Sequence, residues 1–419
     1  MEEKNLNQID RSRVIVSLDV GSSKIGVFIG LIQDNGQVRV LGCGTNELKK
    51  GAINELESTV RSIETAVQQA ETMAGIDVKD VYVGIAGSHI RSASCKGTVL
   101  LNRSGNEVTE ADMKAVVEQA SSMLLPADSE VIHVLQGDFS VDEQVGIKNP
   151  LGMSGVRLGT EVQMVTAQMG AIQNLRKSVE RAGFSIASLV LEPLASACAI
   201  LHDDERELGV AVIDIGAGST DVAVFVGDTV RYTVSIDLAG NTVTNDIAYC
   251  FKTPIDRAEE IKKKYGTCRF SNLLKDEMIP VPGIGGREET QQPREVLAKI
   301  MYERMSEILG LVNKDLRKAH LDKIIGAGIV LTGGAVAIEG IEELASKAFE
   351  GMPVRCGAPK QSVGLGETLA KPAYATGVGL LCYAARDRKR VPAKQGDGDF
   401  VGSARKVVAR CWNVIKNYI

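Results

Sequence analysis

Two short stretches of the sequence combine an acidic residue with glycine and hydroxyl side chains: DVGSSK at 19–24 and DIGAGST at 214–220. A glycine-rich turn lets backbone N–H groups approach a phosphate without interference from Cβ atoms, and the hydroxyls add further donors. Asp19 and Asp214 could hold Mg²⁺ through water, because this ion gives up its water shell reluctantly. If the two turns face each other, they predict a clamp for a triphosphate group.

Each stretch lies between two runs rich in β-branched residues, at 14–32 and 209–226. This pattern predicts strand, tight turn and strand, which is a β-hairpin. One such hairpin has a plainer interpretation as an ordinary β-turn, whereas two matched hairpins in one chain predict two related domains. The sequence contains neither a GxxxxGKS/T motif nor a GxGxxG motif, so the P-loop and Rossmann interpretations lose support.

Two further segments carry residue types that suit a nucleotide. GIVLTGGAV at 328–336 predicts an apolar strand that ends in a glycine pair, and Gly333 and Gly334 would let an adenine or ribose lie on the backbone. In LEPLASA at 191–197, Glu192 precedes a proline at a predicted helix start, where it could orient an attacking water. The plainer interpretations are a buried strand with a turn, and a carboxylate that accepts from first-turn amides.

The segments between these motifs alternate helical and strand patterns, which predicts the α/β class. Residues 92–170 fit the duplicated pattern poorly, because they hold several short β-like runs, one helix and the loop IKNPLGMSGVRL; we interpret them as an inserted subdomain. The proline- and glycine-rich stretch at 279–294 predicts an exposed loop. Helices are predicted over 56–74, 109–124, 254–265 and 294–316.

Charge is distributed unevenly along the 419 residues. The net charge is −5, and residues 387–419 carry eight basic and three acidic residues, so they contribute +5 and the remainder −10. An acidic body does not attract polyanions, so no nucleic-acid partner is expected. Eight scattered cysteines without a CxxC pair, and four histidines without metal-ligand spacing, predict reduced thiols and no zinc site.

The C-terminal stretch 401–419 follows a charged, glycine-containing segment at 387–400 that predicts a flexible linker. On a helix, one apolar stripe would form from residues 404, 407, 408, 411, 412, 415, 418 and 419. The stretch is too short and too charged to span a bilayer, so it predicts a helix in the interface of an anionic membrane; a core-packing helix is the alternative. The residues predicted to meet the membrane are Arg405, Lys406, Val408, Arg410, Trp412, Ile415 and Lys416.

The motifs at 19–24, 191–197, 214–220 and 328–336 resemble, in order, the phosphate-1, connect, phosphate-2 and adenosine motifs of the superfamily of actin, DnaK-type chaperones and sugar kinases. Within it, the chain resembles the FtsA family of bacterial cell-division proteins over its whole body. The position of the insert and the tail after a linker are also similar. The segments that carry this resemblance are GIAGSHI, NPLGMSGVRL, LEPLASA, DIGAGSTD, AGNTVTNDIA, AEEIK and VLTGGA.

The resemblance implies a two-lobed, actin-like fold of duplicated ribonuclease H-like domains, with an FtsA-type insert and a C-terminal amphipathic helix. It also implies limits for each part. These are 1–91 with 171–206 and 367–386 for the first lobe (1A), 92–170 for the insert (1C), 207–366 for the second lobe (2A/2B), 387–400 for the linker and 401–419 for the membrane-targeting helix.

The resemblance implies ATP and Mg²⁺ as ligands, with at most slow ATP hydrolysis, and it assigns roles to single residues. Asp19 and Asp214 match the carboxylates that hold Mg²⁺ through water, and Glu192 matches the position that orients water. Ala217 departs from the glycine common in relatives, which narrows the approach to the phosphates slightly. The other nucleotide contacts implied are Ser22, Ser23, Lys24, Gly216, Ala217, Gly218 and Ser219 for phosphates, Glu259, Lys262 and Lys263 for the ribose and base, and Gly333, Gly334 and Ala335 for adenosine.

The implied role is a scaffold that self-associates into filaments and anchors the tubulin-like FtsZ ring to the cytoplasmic membrane at the division septum. The FtsZ C-terminal peptide is expected around 251–307, where Arg304 could pair with an acidic peptide; the alternative is that Arg304 is a solvated surface residue. Later division proteins are further expected partners.

Two other functions of the same superfamily stay open at this point. A sugar or acid kinase would place a catalytic Asp and sugar-binding polar residues in the cleft, and would not need a basic amphipathic tail. A PilM-like pilus adaptor would share the fold, the nucleotide site and the insert, but its partner would be a membrane-protein peptide and this tail would not be expected.

Overall fold

The computed structural model describes residues 10–48, 56–101, 106–122, 126–227, 229–274, 276–360 and 366–390. The predicted membrane helix at 401–419 and most of the predicted linker at 387–400 lie outside these residues. The domain limits given above stay predictions.

Strands and helices alternate along the chain, as the α/β pattern predicts. The strands are β1 (Val14–Val20), β2 (Lys24–Ile32), β3 (Val38–Glu47), β4 (Asp80–Ile85), β5 (Ile90–Leu100), β6 (Ser129–Val141), β7 (Gln144–Ile147), β8 (Arg157–Gln168), β9 (Ser185–Leu191), β10 (Val210–Ile215), β11 (Thr220–Val226), β12 (Thr229–Ile236), β13 (Met278–Val281), β14 (Thr290–Pro293), β15 (Gly328–Thr332) and β16 (Val354–Cys356). The helices are α1 (Leu56–Ala74), α2 (Glu110–Ala120), α3 (Met169–Arg181), α4 (Glu192–Ile200), α5 (Asp203–Leu208), α6 (Gly240–Phe251), α7 (Ile255–Tyr265), α8 (Arg294–Lys318), α9 (Ile341–Ala348), α10 (Gly366–Leu369) and α11 (Ala375–Arg390).

Two five-stranded sheets share one topology, which confirms the predicted duplication. The first has the order β3-β2-β1-β4-β9 and the second the order β12-β11-β10-β15-β16. In each sheet an antiparallel meander of three strands is followed by two parallel strands. We call the first sheet with α1, α3, α4 and α11 lobe I, and the second sheet with α6 to α9 lobe II.

Residues 90–168 form a separate four-stranded antiparallel sheet with the order β5-β8-β6-β7; we call these residues the insert. Helix α2 packs on this sheet around its own core, which includes Met113, Val116, Leu158 and Val162. Thr109 caps α2 through a capping box with Asp112, as the sequence predicts. The insert therefore folds around its own apolar centre, although both of its chain connections lead into lobe I.

One apolar core joins the two lobes through α4 and α11. It includes Phe28 of lobe I, Ala195 of α4, Val212 of lobe II and Leu381 of α11. The two helices lie in close contact, because a Cβ atom on Gly379 would stand 2.0 Å from the carbonyl oxygen of Ala195. This glycine lets the backbones approach, so the lobes share a packed hinge region instead of a flexible linker.

The stretch at 279–294 differs from the loop that its composition predicts. Strands β13 and β14 pair antiparallel from Met278↔Pro293 to Val281↔Thr290. Ile279 and Val281 are each 1% exposed, so alternate side chains of β13 pack into lobe II while the tip of the hairpin is exposed. This short alternation of buried and exposed side chains is hard to recognise in the sequence because the stretch is rich in Pro and Gly.

Candidate functional site

The two predicted turns lie against each other at the junction of the lobes. Each turn is closed by a backbone hydrogen bond, from Gly21 N to the Lys24 oxygen at 3.1 Å and from Gly216 N to the Ser219 oxygen at 3.0 Å. A Cβ atom on Gly218 would lie 2.3 Å from Oγ of Ser22. Because the turns touch where Gly218 lacks a side chain, donors from both lobes converge on one small region.

Asp19 and Asp214 end the equivalent strands β1 and β10, and both are buried. Burial raises the pKa of Asp19 to about 6, while the charge of Lys24 acts in the opposite direction. Burial also raises the pKa of Asp214 to about 7. A carboxylate taken out of water costs free energy unless a cation or donors compensate it, so both positions favour a nearby cation.

Two hydroxyl groups of lobe I hold the carboxylate of Asp214 in lobe II. Ser196 of α4 donates to Oδ2 of Asp214 at 2.8 Å, and Thr376 of α11 donates to the same oxygen at 3.2 Å. Oδ1 lies on the opposite side, 2.5 Å from the position of a Cβ atom on Gly333. The hinge helices therefore fix the orientation of this acid across the lobe junction.

Glu192 is the first residue of α4 and reaches the same junction. Its side chain covers Gly84, whose Cβ position lies 3.1 Å from Cγ of Glu192. Burial raises the pKa of Glu192 well above its ordinary value, and the charges of Asp19, Asp221 and Asp214 raise it further. The structure therefore gathers Glu192 with the acids of both turns, as a water-orienting role requires.

Asp221 is a residue of this site that the sequence analysis missed. Its carboxylate accepts from Oγ of Ser219 at 2.6 Å and from N of Gly87 at 3.3 Å, and burial raises its pKa. The signal was present in the hairpin pattern, because Asp221 is the register partner of Asp214 across the turn. The Ser219 hydroxyl thus donates its hydrogen bond to Asp221. The phosphate contact expected of Ser219 would then require either a rearrangement of this side chain or a contact from its backbone.

The second turn also contacts the start of α6 and the glycine pair after β15. Gly240 N donates to the Gly216 oxygen at 3.1 Å, and Asn241 N donates to the Ala217 oxygen at 2.8 Å. A Cβ atom on Gly240 would lie 3.4 Å from Cβ of Ala335 and 3.6 Å from Nζ of Lys262. The predicted phosphate and adenosine segments of lobe II therefore meet at one glycine.

The glycine pair Gly333–Gly334 combines a close backbone approach at its first residue with open space at its second. Gly333 has φ 94°, and a Cβ atom there would lie 2.4 Å from the Ile215 oxygen. At Gly334 no atom lies within 4 Å of the Cβ position. Position 333 requires glycine because its backbone lies against β10 and leaves no room for a Cβ atom. Gly334 faces open space at the mouth of the site.

The predicted ribose contacts form their own network in the described chain. Nζ of Lys262 donates to the Gly240 oxygen at 3.0 Å and to Oγ1 of Thr244 at 2.8 Å, and it pairs with Glu259 at 2.6 Å. Lys263 lies 3.7 Å from the other oxygen of Glu259. This network places Lys262, paired with Glu259, beside the second turn, where hydroxyls of a sugar could exchange with the internal partners.

Lys24 follows the first turn and points toward the hinge. Its Nζ donates to the Ala373 oxygen at 2.8 Å and lies 4.2 Å from the ring centroid of Tyr374. Burial lowers its pKa, whereas the charges of Asp19 and Asp214 act in the opposite direction. Lys24 therefore compensates the acids of both lobes, in addition to the phosphate role that the resemblance implies.

Arg304 lies on α8, away from this site, and its guanidinium is already paired. Nε and Nη2 donate to the two carboxylate oxygens of Asp246 at 2.6 and 3.1 Å, and Nη1 donates to Glu307. A partner carboxylate would have to compete with these intramolecular acceptors.

Across the described ranges, no group of three or more His, Cys, Asp or Glu side chains is arranged to hold a metal ion directly. In the same residues, no helix combines the length and apolarity that crossing a membrane requires. The buried acids of the two turns nevertheless fit a hydrated divalent cation, because Mg²⁺ usually keeps several waters and accepts few direct carboxylates.

Duplicated sheets with facing Asp–Gly turns define the actin-like class of proteins. Two solved structures share this fold. A chain of the PilM-PilN type IV pilus biogenesis complex has a TM-score of 0.64 and 17% identity, covering 88% of this chain and 98% of its own. MreB 5 of Spiroplasma citri bound to AMPPNP has a TM-score of 0.53 and 14% identity, covering 91% and 98%.

Closer relatives define the family. One family model, described as cell division protein FtsA, matches residues 211–379, and another, described as the SHS2 domain inserted in FTSA, matches residues 87–166. Cell division protein FtsA of Pseudomonas aeruginosa is 43% identical over 394 residues, covering 93% of this chain and 92% of the relative. The Escherichia coli K12 protein of the same name is 39% identical over 403 residues, covering 92% and 95%. The chain belongs to the FtsA family of cell division proteins, which supports a role in cell division.

The raised pKa of Asp214 predicts a pH-dependent stability. The folded-state pKa of about 7 lies above the ordinary value of 3.8. The folded chain therefore binds the proton of the Asp214 carboxyl group more tightly than the unfolded chain does. As a result, the stability of the folded chain falls as pH rises from about 4 to about 7.

Asp214→Asn removes the cost of burying an ionised carboxylate and keeps an acceptor for Ser196 and Thr376. In thermal unfolding without nucleotide or Mg²⁺, we expect the advantage of D214N over wild type to grow from about pH 5 to about pH 7.5.

A matched control for this experiment is Asp34→Asn, since the side chain of Asp34 is 89% exposed. Its melting temperature should follow that of the wild type at every pH. Parallel pH curves for D214N and wild type would contradict the assignment of a raised pKa to Asp214.

Proposed function

We propose that this chain is an ATP-binding, self-associating scaffold of bacterial cell division that anchors the FtsZ ring to the cytoplasmic membrane. The observation that carries the nucleotide part is the contact between the two Asp–Gly turns, Gly218 against Ser22, beside three buried aspartates and the half-buried Glu192. Family membership supports the division role, and two MreB structures of Spiroplasma citri, bound to ADP and to AMPPNP, support a nucleotide in this fold.

In this proposal the phosphates lie between residues 21–24 and 216–219. Backbone N–H groups and hydroxyls would bind them, and Asp19 and Asp214 would hold Mg²⁺ through water. The adenosine would lie along Gly333–Ala335, beside Lys262 and Glu259. Bound Mg²⁺ would supply charge compensation for the acids and the phosphates. Glu192 would orient water, and hydrolysis is expected to be slow at most.

The membrane part of the proposal rests on the C-terminal residues 401–419, which lie outside the described residues. Four basic side chains, at about 1 kcal/mol each near an anionic surface, would contribute on the order of 4 kcal/mol. This energy alone gives weak binding, so self-association into filaments would strengthen attachment by presenting many tails at once. The expected location is the cytoplasmic face of the membrane at the septum.

We further propose that the FtsZ C-terminal peptide binds to lobe II around residues 251–307. This region carries exposed apolar side chains, including Ile255, Phe270 and Ile284, and it also contains Arg304, which pairs with Asp246. An acidic peptide could replace Asp246 as the partner of Arg304. Later division proteins would bind elsewhere on the scaffold.

The kinase and PilM-like alternatives receive less support. The PilM-PilN likeness at 17% identity shows the fold alone, whereas the FtsA relatives of Pseudomonas aeruginosa and Escherichia coli match more than nine-tenths of the chain at 43% and 39% identity.

Gly218→Val tests the clamp of two turns. The Cβ atom would already lie 2.3 Å from Oγ of Ser22, and the branched side chain would occupy the path of the phosphates. We expect the calorimetric affinity for Mg-ATP to fall about tenfold or more. Gly310→Ala, at an exposed helical position with no atom within 4 Å, serves as the control. Wild-type ATP affinity in G218V would refute the clamp.

Trp412→Glu tests the membrane anchor, because it puts a charge on the predicted apolar stripe. The variant, and a chain lacking 401–419, should no longer sediment with anionic vesicles, while ATP affinity survives. Trp412→Phe keeps an aromatic side chain and should retain most binding. Full retention of W412E on the vesicles would show that attachment lies elsewhere in the chain.

Arg304→Gln tests the peptide site without adding a third carboxylate beside Asp246 and Glu307. Affinity for a fluorescent FtsZ C-terminal peptide should fall about threefold to tenfold, with ATP affinity unchanged. Arg317→Gln is the matched control on the same helix, since Arg317 pairs with Glu350 at 2.5 Å. If R304Q and R317Q bind the peptide equally well, Arg304 is not part of the site.

A further inference from the structure

Strand β6 of the insert contacts both lobes, although the insert is connected covalently only to lobe I. Its first half runs beside β9, the edge strand of the lobe I sheet, and its second half reaches β12, the edge strand of the lobe II sheet. A single strand thus bridges the two halves that each carry one turn of the candidate nucleotide site.

The lobe I end of β6 is held by two polar contacts. Glu130 accepts two hydrogen bonds from Arg176 of α3, at 2.6 and 3.1 Å. Nε2 of His133 accepts from N of Leu191 at 3.0 Å. Leu191 is buried and directly precedes Glu192, so the insert satisfies an edge-strand N–H group at the start of α4. This end is firmly attached to the helix that carries an acid of the site.

The lobe II end of β6 is held through Arg231 of β12. Its guanidinium pairs with Asp138 of β6, and its carbonyl oxygen accepts from Nε2 of Gln163 of β8 at 2.9 Å. The side chains of Arg231 and Asp138 are 32% and 22% exposed, so the pair is partly shielded from water. Gly137 lets β6 lie close to β8, since a Cβ atom there would stand 2.6 Å from the Glu161 oxygen.

Rotation of the lobes away from each other would separate the two turns that meet at Ser22 and Gly218. The same rotation would move β12 relative to lobe I, and β6 is fixed to lobe I at Glu130 and His133. The contacts of Arg231 would then break, or the insert would be pulled from its place. The arrangement that closes the site is therefore also the one in which Arg231 and Asp138 meet.

We propose that the Asp138–Arg231 pair is a latch that links the insert to closure of the lobes around a bound nucleotide. The inference rests on the proposed nucleotide function. Because coupling between two binding sites is reciprocal, a ligand that draws the insert away from β12 lowers the affinity for nucleotide. Bound nucleotide lowers the affinity for that ligand by the same factor. The insert thereby becomes a regulatory input to the site.

The experiment measures the dissociation rate of a fluorescent ATP analogue with Mg²⁺ from the full chain. Asp138→Arg and Arg231→Asp each place like charges together, so we expect each to accelerate release about threefold to tenfold. The double variant restores opposite charges and should recover at least half of the change in logarithmic rate. Arg181→Asp breaks an ion pair with Glu57 inside lobe I and should leave the rate unchanged.

Thermal unfolding of each variant shows whether the chain stays folded, and the rate is compared among folded variants. If neither single variant folds, Gln163→Leu removes the hydrogen bond from the insert to the Arg231 carbonyl oxygen and should accelerate release in the same direction. Equal rates in wild type, the latch variants and R181D would overturn the latch while leaving nucleotide binding intact. Failure of the wild type to bind the analogue would instead overturn the proposed function, and the latch with it.

Discussion

Placement of four carboxylates at one junction, three of them buried and the fourth half-buried, is the constraint on which the rest of this structure depends. Asp19, Glu192, Asp214 and Asp221 come from four different strand or helix ends, and burial raises the pKa of each. Like charges in a poorly solvated site repel, so the arrangement is costly unless protons, hydroxyl donors or cations compensate it. Lys24 supplies part of this compensation, and a hydrated divalent cation bound at the site would supply more.

The fold meets this constraint by bringing two copies of one hairpin face to face. Each copy ends its first strand with an aspartate and turns on a glycine, so duplication alone places an acid and phosphate donors on both sides. Helices α4 and α11 fill the space between the sheets, and their hydroxyls, Ser196 and Thr376, hold Asp214 from the opposite lobe. The hydrophobic hinge and the polar site are thus built from the same two helices, which ties lobe packing to site geometry.

Much of this could be predicted from the sequence because its signals are local. The paired hairpins, the 3.6-residue periodicity of α1 and the capping box at Thr109 each lie within one short window. Long-range partners could not be predicted: the contact of His133 with Leu191 joins positions 58 residues apart, and Arg231 meets Asp138 across 93. Asp221 was missed for another reason, since its role follows from hairpin register and not from the motif.

The proposed nucleotide binds between the turns of both lobes. A crystal structure of the full chain with Mg²⁺ and a non-hydrolysable ATP analogue would locate it. We expect phosphate oxygens in contact with backbone N–H groups of residues 21–24 and 216–219, and Mg²⁺-bound water within hydrogen-bonding distance of Asp19 and Asp214. Phosphates that contact only one turn, or a nucleotide bound away from both, would contradict it.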